Sequence, residues 1–173
     1  QSGGLALILQ GMPTPVKVAP MPETECGIYE FINGDYEPDH AFIEAVHSFP
    51  GAGVASMFTF GQNYGFLRGV LIAMKIPFEE VQPRKWQSAF VPAKPSVPKV
   101  KGFMTPDQKK AHKIALNDAQ RAHKRNLLAK AQQLFPNIKL TLKTCDALLL
   151  AEFGRRELAK RQLAKRLIPS QTL

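Results

Sequence analysis

Two carboxylates stand in apolar company. Glu44 closes the strand-like run Asp39-His40-Ala41-Phe42-Ile43-Glu44-Ala45-Val46, bounded by Pro38 before it and by Ser48-Phe49-Pro50-Gly51 after it. Such a profile predicts a short buried strand ending in a loop. A carboxylate there is costly unless a partner or a metal compensates its charge, and ligands of open α/β sheets gather at the carboxyl ends of strands. Asp146 follows Thr144 and precedes Ala147-Leu148-Leu149-Leu150. That order places it in the first turn of a helix, where the dipole favours negative charge. Taken singly, Glu44 also suits a half-exposed strand end, and Asp146 also suits simple N-terminal capping. If the helix packs on the strand, the two converge. Paired carboxylates in a basic protein are what a divalent-metal nuclease uses, because metal ions bridge the scissile phosphate and activate water.

The elements that must bring them together form one domain of 173 residues with a hydrophobic fraction of 45%, long enough to bury a core. No apolar run approaches the ~18 residues of a membrane span. No signal peptide opens the chain, and since its first residue is Gln1, a segment upstream is expected. Cys26 and Cys145 lie far apart and match no zinc or redox spacing, which suits a reducing compartment. The net charge of +9 is unevenly spread. Residues 1–83 hold 3 Lys/Arg against 9 Asp/Glu, and residues 84–173 hold 20 against 5. A basic half of that size points to a polyanion partner, nucleic acid first; solvated helices with lysines on their outer faces are the alternative.

Along the chain, Leu5-Ala6-Leu7-Ile8-Leu9 and Val16-Lys17-Val18-Ala19-Pro20-Met21 read as a hairpin around the turn Gly11-Met12-Pro13-Thr14-Pro15. An acidic connection or short helix follows over 23–39, then the Glu44 strand and a loop over 48–53. The spacing of Phe58, Phe66, Leu67, Val70, Leu71 and Met74 predicts a helix. Gly61, Gly65 and Gly69 share one face of it, which predicts close packing against a sheet or a ligand. Residues 76–81 read as a further strand. Pro92, Pro95, Pro98 and Pro106 with Lys94, Lys99 and Lys101 make 91–106 an extended, mobile, basic loop. Thr105-Pro106 starts a helix that runs to Leu134, with a break expected near Asn117-Asp118. Residues 138–142 form a short strand or connector, and Thr144 caps a last helix over 145–167. The order predicts an α/β protein with a mixed sheet flanked by helices.

Several stretches together resemble one family: residues 2–8 (SGGLALI), 41–44 (AFIE), 60–65 (FGQNYG), Lys85-Trp86, Lys109-Lys110-Ala111-His112, and 146–154 (DALLLAEFG). In that order they look like RuvC-type Holliday-junction resolvases, and the likeness is closest to the phage-encoded branch and the chloroplast resolvase of plants. It covers nearly the whole chain. The resemblance implies an RNase H-like fold, a homodimer, and Mg²⁺ (with Mn²⁺ as a substitute) held by acidic residues. It also implies metal-dependent paired nicking of branched DNA with four arms. By position, Glu44 matches the acidic residue of the middle strand and Asp146 that of the last helix, making both catalytic and metal-binding. The loop after Glu44 matches the region that probes bases, so Phe49 becomes a stacking candidate. Arg84, Lys85, Lys109, Lys110 and Lys113 become phosphate contacts. The family's first catalytic Asp lies on an opening strand just before the Ser2-Gly3-Gly4 turn, so that strand and its Asp are expected upstream of Gln1. Without the strand, the sheet would carry a large apolar gap unless another segment fills the space. Where many members have an acidic residue or His shortly before the last Asp, this chain has Leu142 and Lys143, and Lys143 is read as a nucleic-acid contact.

Two other readings accompany this one. A degenerate RuvC-like subunit of a ribonucleoprotein or recombination complex would use the basic half to bind RNA or DNA without cutting. A generic DNA-binding protein would share the fold alone. No membrane partner is expected; the cytoplasm of a bacterial or phage-infected cell is the expected compartment, with an organelle matrix as the alternative.

Overall fold

The computed structural model describes residues 3–9, 17–34, 36–45, 53–98 and 102–167. Among them lie four short strands and five helices, an α/β arrangement. β1 (Gly4–Leu7) pairs antiparallel with β2 (Lys17–Pro20), with Gly4 opposite Pro20 and Leu7 opposite Lys17. The expected hairpin is therefore present, and its turn lies outside the described residues. β3 (Ala41–Glu44) pairs parallel with β4 (Phe78–Val81), so Glu44 lies opposite Val81. Parallel strands need a long crossover, and α2 (Val54–Ala73) supplies it. The described strands form two separate pairs, joined by no ladder of their own.

The acidic connection contains α1 (Glu25–Ile32), whose N-cap Thr24 accepts a bond from the Gly27 N–H at 3.1 Å. α3 (Pro83–Ser88) starts on a proline, whose fixed φ suits a helix's first position, and it buries Trp86 completely. α4 (Pro106–Leu134) opens with a full capping box: the Thr105 hydroxyl accepts from the Gln108 N–H, and the Gln108 side chain accepts from the Thr105 N–H. This satisfies two otherwise orphaned donors.

Two expectations are corrected here. α4 runs unbroken through Asn117-Asp118 for 29 residues. No Pro or Gly interrupts residues 107–134, and the few tenths of a kcal/mol lost at Asn and Asp are small against the Ala, Leu, Lys, Arg and Gln around them. The glycine stripe of α2 is not closely packed either. A methyl group added at Gly61, Gly65 or Gly69 would meet nothing within 4 Å among the described residues. Apolar side chains surround this helix instead of lining one side, and only Val70 and Leu71 are buried.

α5 (Cys145–Leu167) organises the core. It packs on β1, β3, α3 and α4. Leu148 and Leu149 are wholly buried against Trp86, Leu127 and Ala131, each such leucine stabilising the fold by ~2–3 kcal/mol. Residues 136–142 are turns, making a connector without a strand. Thr144 is buried, and its hydroxyl accepts from the Thr141 N–H at 3.0 Å, pinning that connector to the helix start. Among the described residues no helix is long and apolar enough to cross a membrane.

Candidate functional site

Glu44 reaches its place because β3 is anchored by α5 at one close contact. A Cβ on Gly154 would meet the Phe42 ring at 2.1 Å, so only glycine lets the helix lie this near the strand. Phe42 is two residues before Glu44, and Gly154 is eight after Asp146. The seam thus aligns the end of β3 with the first turn of α5. A second tight approach holds the other strand pair, since a Cβ on Gly4 would meet backbone oxygens of Ala19 at 2.8 Å and Lys143 at 2.9 Å.

At the seam's end the two carboxylates are near enough to repel each other. Burial pushes the Glu44 carboxyl above the ordinary carboxylate range. A hydrogen bond from Trp86 pulls it down, the Asp146 charge raises it again, and the Lys124 ammonium offsets part of that rise. The Trp86 Nε1–H donates to Glu44 Oε1 at 3.1 Å, joining the most buried side chain of α3 to the strand end. Asp146 is paired with Lys124, whose ammonium donates to its Oδ2. The neighbouring Cys145 thiol donates to Asp146 Oδ1 at 3.4 Å. Its pKa is pushed up to about 12, by burial first and by the Asp146 charge next, so at neutral pH it is a donor and not a thiolate.

The residues predicted from sequence fall into three groups. Glu44 and Asp146 come near enough for the charge of one to act on the other. Arg84 and Lys85 lie exposed on α3, with the Lys85 ammonium 6.0 Å from the centre of the Phe153 ring. Lys109, Lys110 and Lys113 are exposed on the first turns of α4. Lys143 is exposed, its backbone N–H donating to Thr141 Oγ1, and among the described residues it pairs with neither carboxylate. Phe49 lies outside the described residues.

Sequence reasoning missed the cation at the centre. Lys124 was one of many lysines in a long helix, yet it stands three residues before Leu127 and seven before Ala131, both fully buried. That spacing puts it on the core-facing stripe, and a lysine on such a stripe signals a buried or half-buried partner. Lys110 and Lys113 share roughly the same helix face, fourteen and eleven residues before Lys124. At 1.5 Å per residue they lie ~21 and ~16 Å from it along the axis. Lys110, Lys113 and Lys124 thus lie on one side of α4, with Asn117 and Gln120 between the outer pair and the carboxylates.

Glu152 extends the charged surroundings on α5. Burial would raise its carboxyl, but bonds from Arg155 and Arg156 at 2.7 Å win and hold it below the ordinary range. The Arg156 guanidinium also lies over the Phe90 ring at 5.0 Å.

Glu44 and Asp146 offer hard oxygen donors, the kind that Mg²⁺ prefers. Among the described residues no three or more His, Cys, Asp or Glu side chains come together. Compared with known proteins, the chain matches no protein-family model, and no curated protein is significantly similar to it.

Proposed function

We propose that the chain is a structure-specific endonuclease that nicks four-way DNA junctions in a metal-dependent reaction. The observation that carries this reading is the meeting of Glu44 and Asp146, a hundred residues apart in sequence, at the end of a strand and the start of a helix. The exposed Lys109, Lys110 and Lys113 at the start of α4 support a phosphate-backbone partner. On this reading both strand pairs belong to one RNase H-like sheet laid on α5, which contacts β1 and β3. Glu44 and Asp146 would hold Mg²⁺, which would supply an activated water and stabilise the leaving oxygen. Trp86 orients Glu44 through its indole N–H, and burial strengthens each charge at the seam. Lys110 and Lys113 would fix the duplex on phosphates. The enzyme would act as a homodimer, making paired cuts.

A second reading has one observation in its favour. The Lys124 ammonium already neutralises Asp146, as an internal cation would in a subunit that binds nucleic acid, DNA or RNA, without cutting it.

The test is a synthetic four-way junction with and without Mg²⁺, using the native chain and Glu44→Gln. Paired nicking that needs Mg²⁺ and falls about a thousand-fold in the variant, ~4 kcal/mol in barrier, is the expected result. Tight binding with no cleavage under Mg²⁺ or Mn²⁺ would sink the nuclease and leave the binding subunit.

A further inference from the structure

Phe103 is the most exposed large apolar side chain among the described residues, at 90%. It stands between a glycine with positive φ and the cap of α4. Gly102 before it has φ +99°, a region that glycine enters freely and other residues rarely do. Two residues later the Thr105 capping box closes the end of α4. The ring thus lies exposed just before a capped helix start. The Lys109 ammonium stands 5.8 Å from its centre, and Lys110 and Lys113 follow on the exposed side. Asp107, in the first turn, is the acidic residue of this tip.

An apolar protein partner would call for a contiguous apolar patch, but the exposed surface after this ring carries Lys109, Lys110 and Lys113, with Ile114 the exposed large apolar side chain of α4. A nucleobase offers what this tip lacks: a flat π face for the ring and a phosphate for the ammonium. A paired base inside a duplex hides that face. We propose that Phe103 is a stacking platform for an unpaired DNA base, with Lys109 on the adjoining phosphate. This rests on the nuclease reading, and adds to it a contact far from the cut. Thr105 is nineteen residues before Lys124, ~28 Å along α4. At ~3.4 Å per step of one strand, that is roughly eight nucleotides from the carboxylates.

The experiment compares three DNA probes: a four-way junction, a duplex with one bulged 2-aminopurine, and the same duplex fully paired. The proteins are the native chain, Phe103→Ala and Phe103→Trp, with thermal melts to confirm folding. Phe103→Ala is expected to weaken the bulged probe about tenfold and the paired duplex not at all. Phe103→Trp is expected to keep the affinity and show tryptophan quenching by the bulged probe; the chain's single native tryptophan, Trp86, is fully buried and serves as reference. Unchanged affinity of Phe103→Ala for the bulged probe, while the native chain still binds and nicks the junction, overturns this inference and leaves the nuclease standing. No binding of any probe by the native chain overturns both.

Discussion

Between Gly154 and Phe42 there is no room for one methyl group, while Lys110 and Lys113, some forty residues earlier, stand in open water. The first region is the seam of α5 on β3, which positions the carboxylates. The second is the tip of α4, which carries the cations of the proposed DNA contact. The seam exists only through long-range packing, and each of its groups depends on another element. The tip is a helix that its own sequence caps and extends, with charges that depend on nothing behind them. The proposed chemistry therefore sits where the fold is least tolerant, and the proposed recognition where it is most tolerant.

That contrast can be broken most forcefully at Gly154. Gly154→Ala forces a methyl into the Phe42 ring, and overpacking of this kind should cost ~2–3 kcal/mol. A chemical-denaturation curve checks it, and an unchanged midpoint would mean that the seam is loose. Replacing both Lys110 and Lys113 by Gln should leave that midpoint alone. It should weaken DNA binding and reduce the salt dependence of log K by ~1.8, about 0.9 for each phosphate no longer neutralised; titrations at several salt concentrations read it.

A third measurement sharpens the electrostatics of the seam. Since the folded Glu44 pKa is raised above its ordinary 4.5, the native state holds its proton more tightly than the unfolded chain does. Stability from this group therefore falls as pH rises from the ordinary carboxylate range through the raised folded pKa. Glu44→Gln has no such loss, so its Tm relative to the native chain should rise between pH 4 and pH 7. A flat difference would show that Trp86 and Lys124 fully compensate the charge. The smallest effect belongs to α4: Asn117→Ala should stabilise by about 0.5 kcal/mol, as expected for an exposed site in an unbroken helix.

The same contrast explains what the sequence disclosed. Thr105-Pro106 announces the start of α4 because capping is local chemistry, and that reading holds to the residue. Glu44 and Asp146 were legible because charge among apolar residues is conspicuous. Lys124 was not, because a lysine in a lysine-rich helix looks solvated until Leu127 and Ala131 are seen to face the core. The break expected at Asn117-Asp118 gave too much weight to two weak residues. The division into two strand pairs, and the open glycine face of α2, depend on what lies across from each element, which periodicity along one segment does not record.

The contact between Phe42 and Gly154 also sets an order of events during synthesis. Glu44 leaves the ribosome 110 residues before Gly154. At 5–20 residues per second that is a delay of roughly 6–22 s. Through that interval β3 has no helix to lie on, and its Phe42 and Ile43 are open to whatever meets the nascent chain. The acidic pair thus assembles late, and a chain released before Gly154 would carry the whole basic tip without the seam that aligns it.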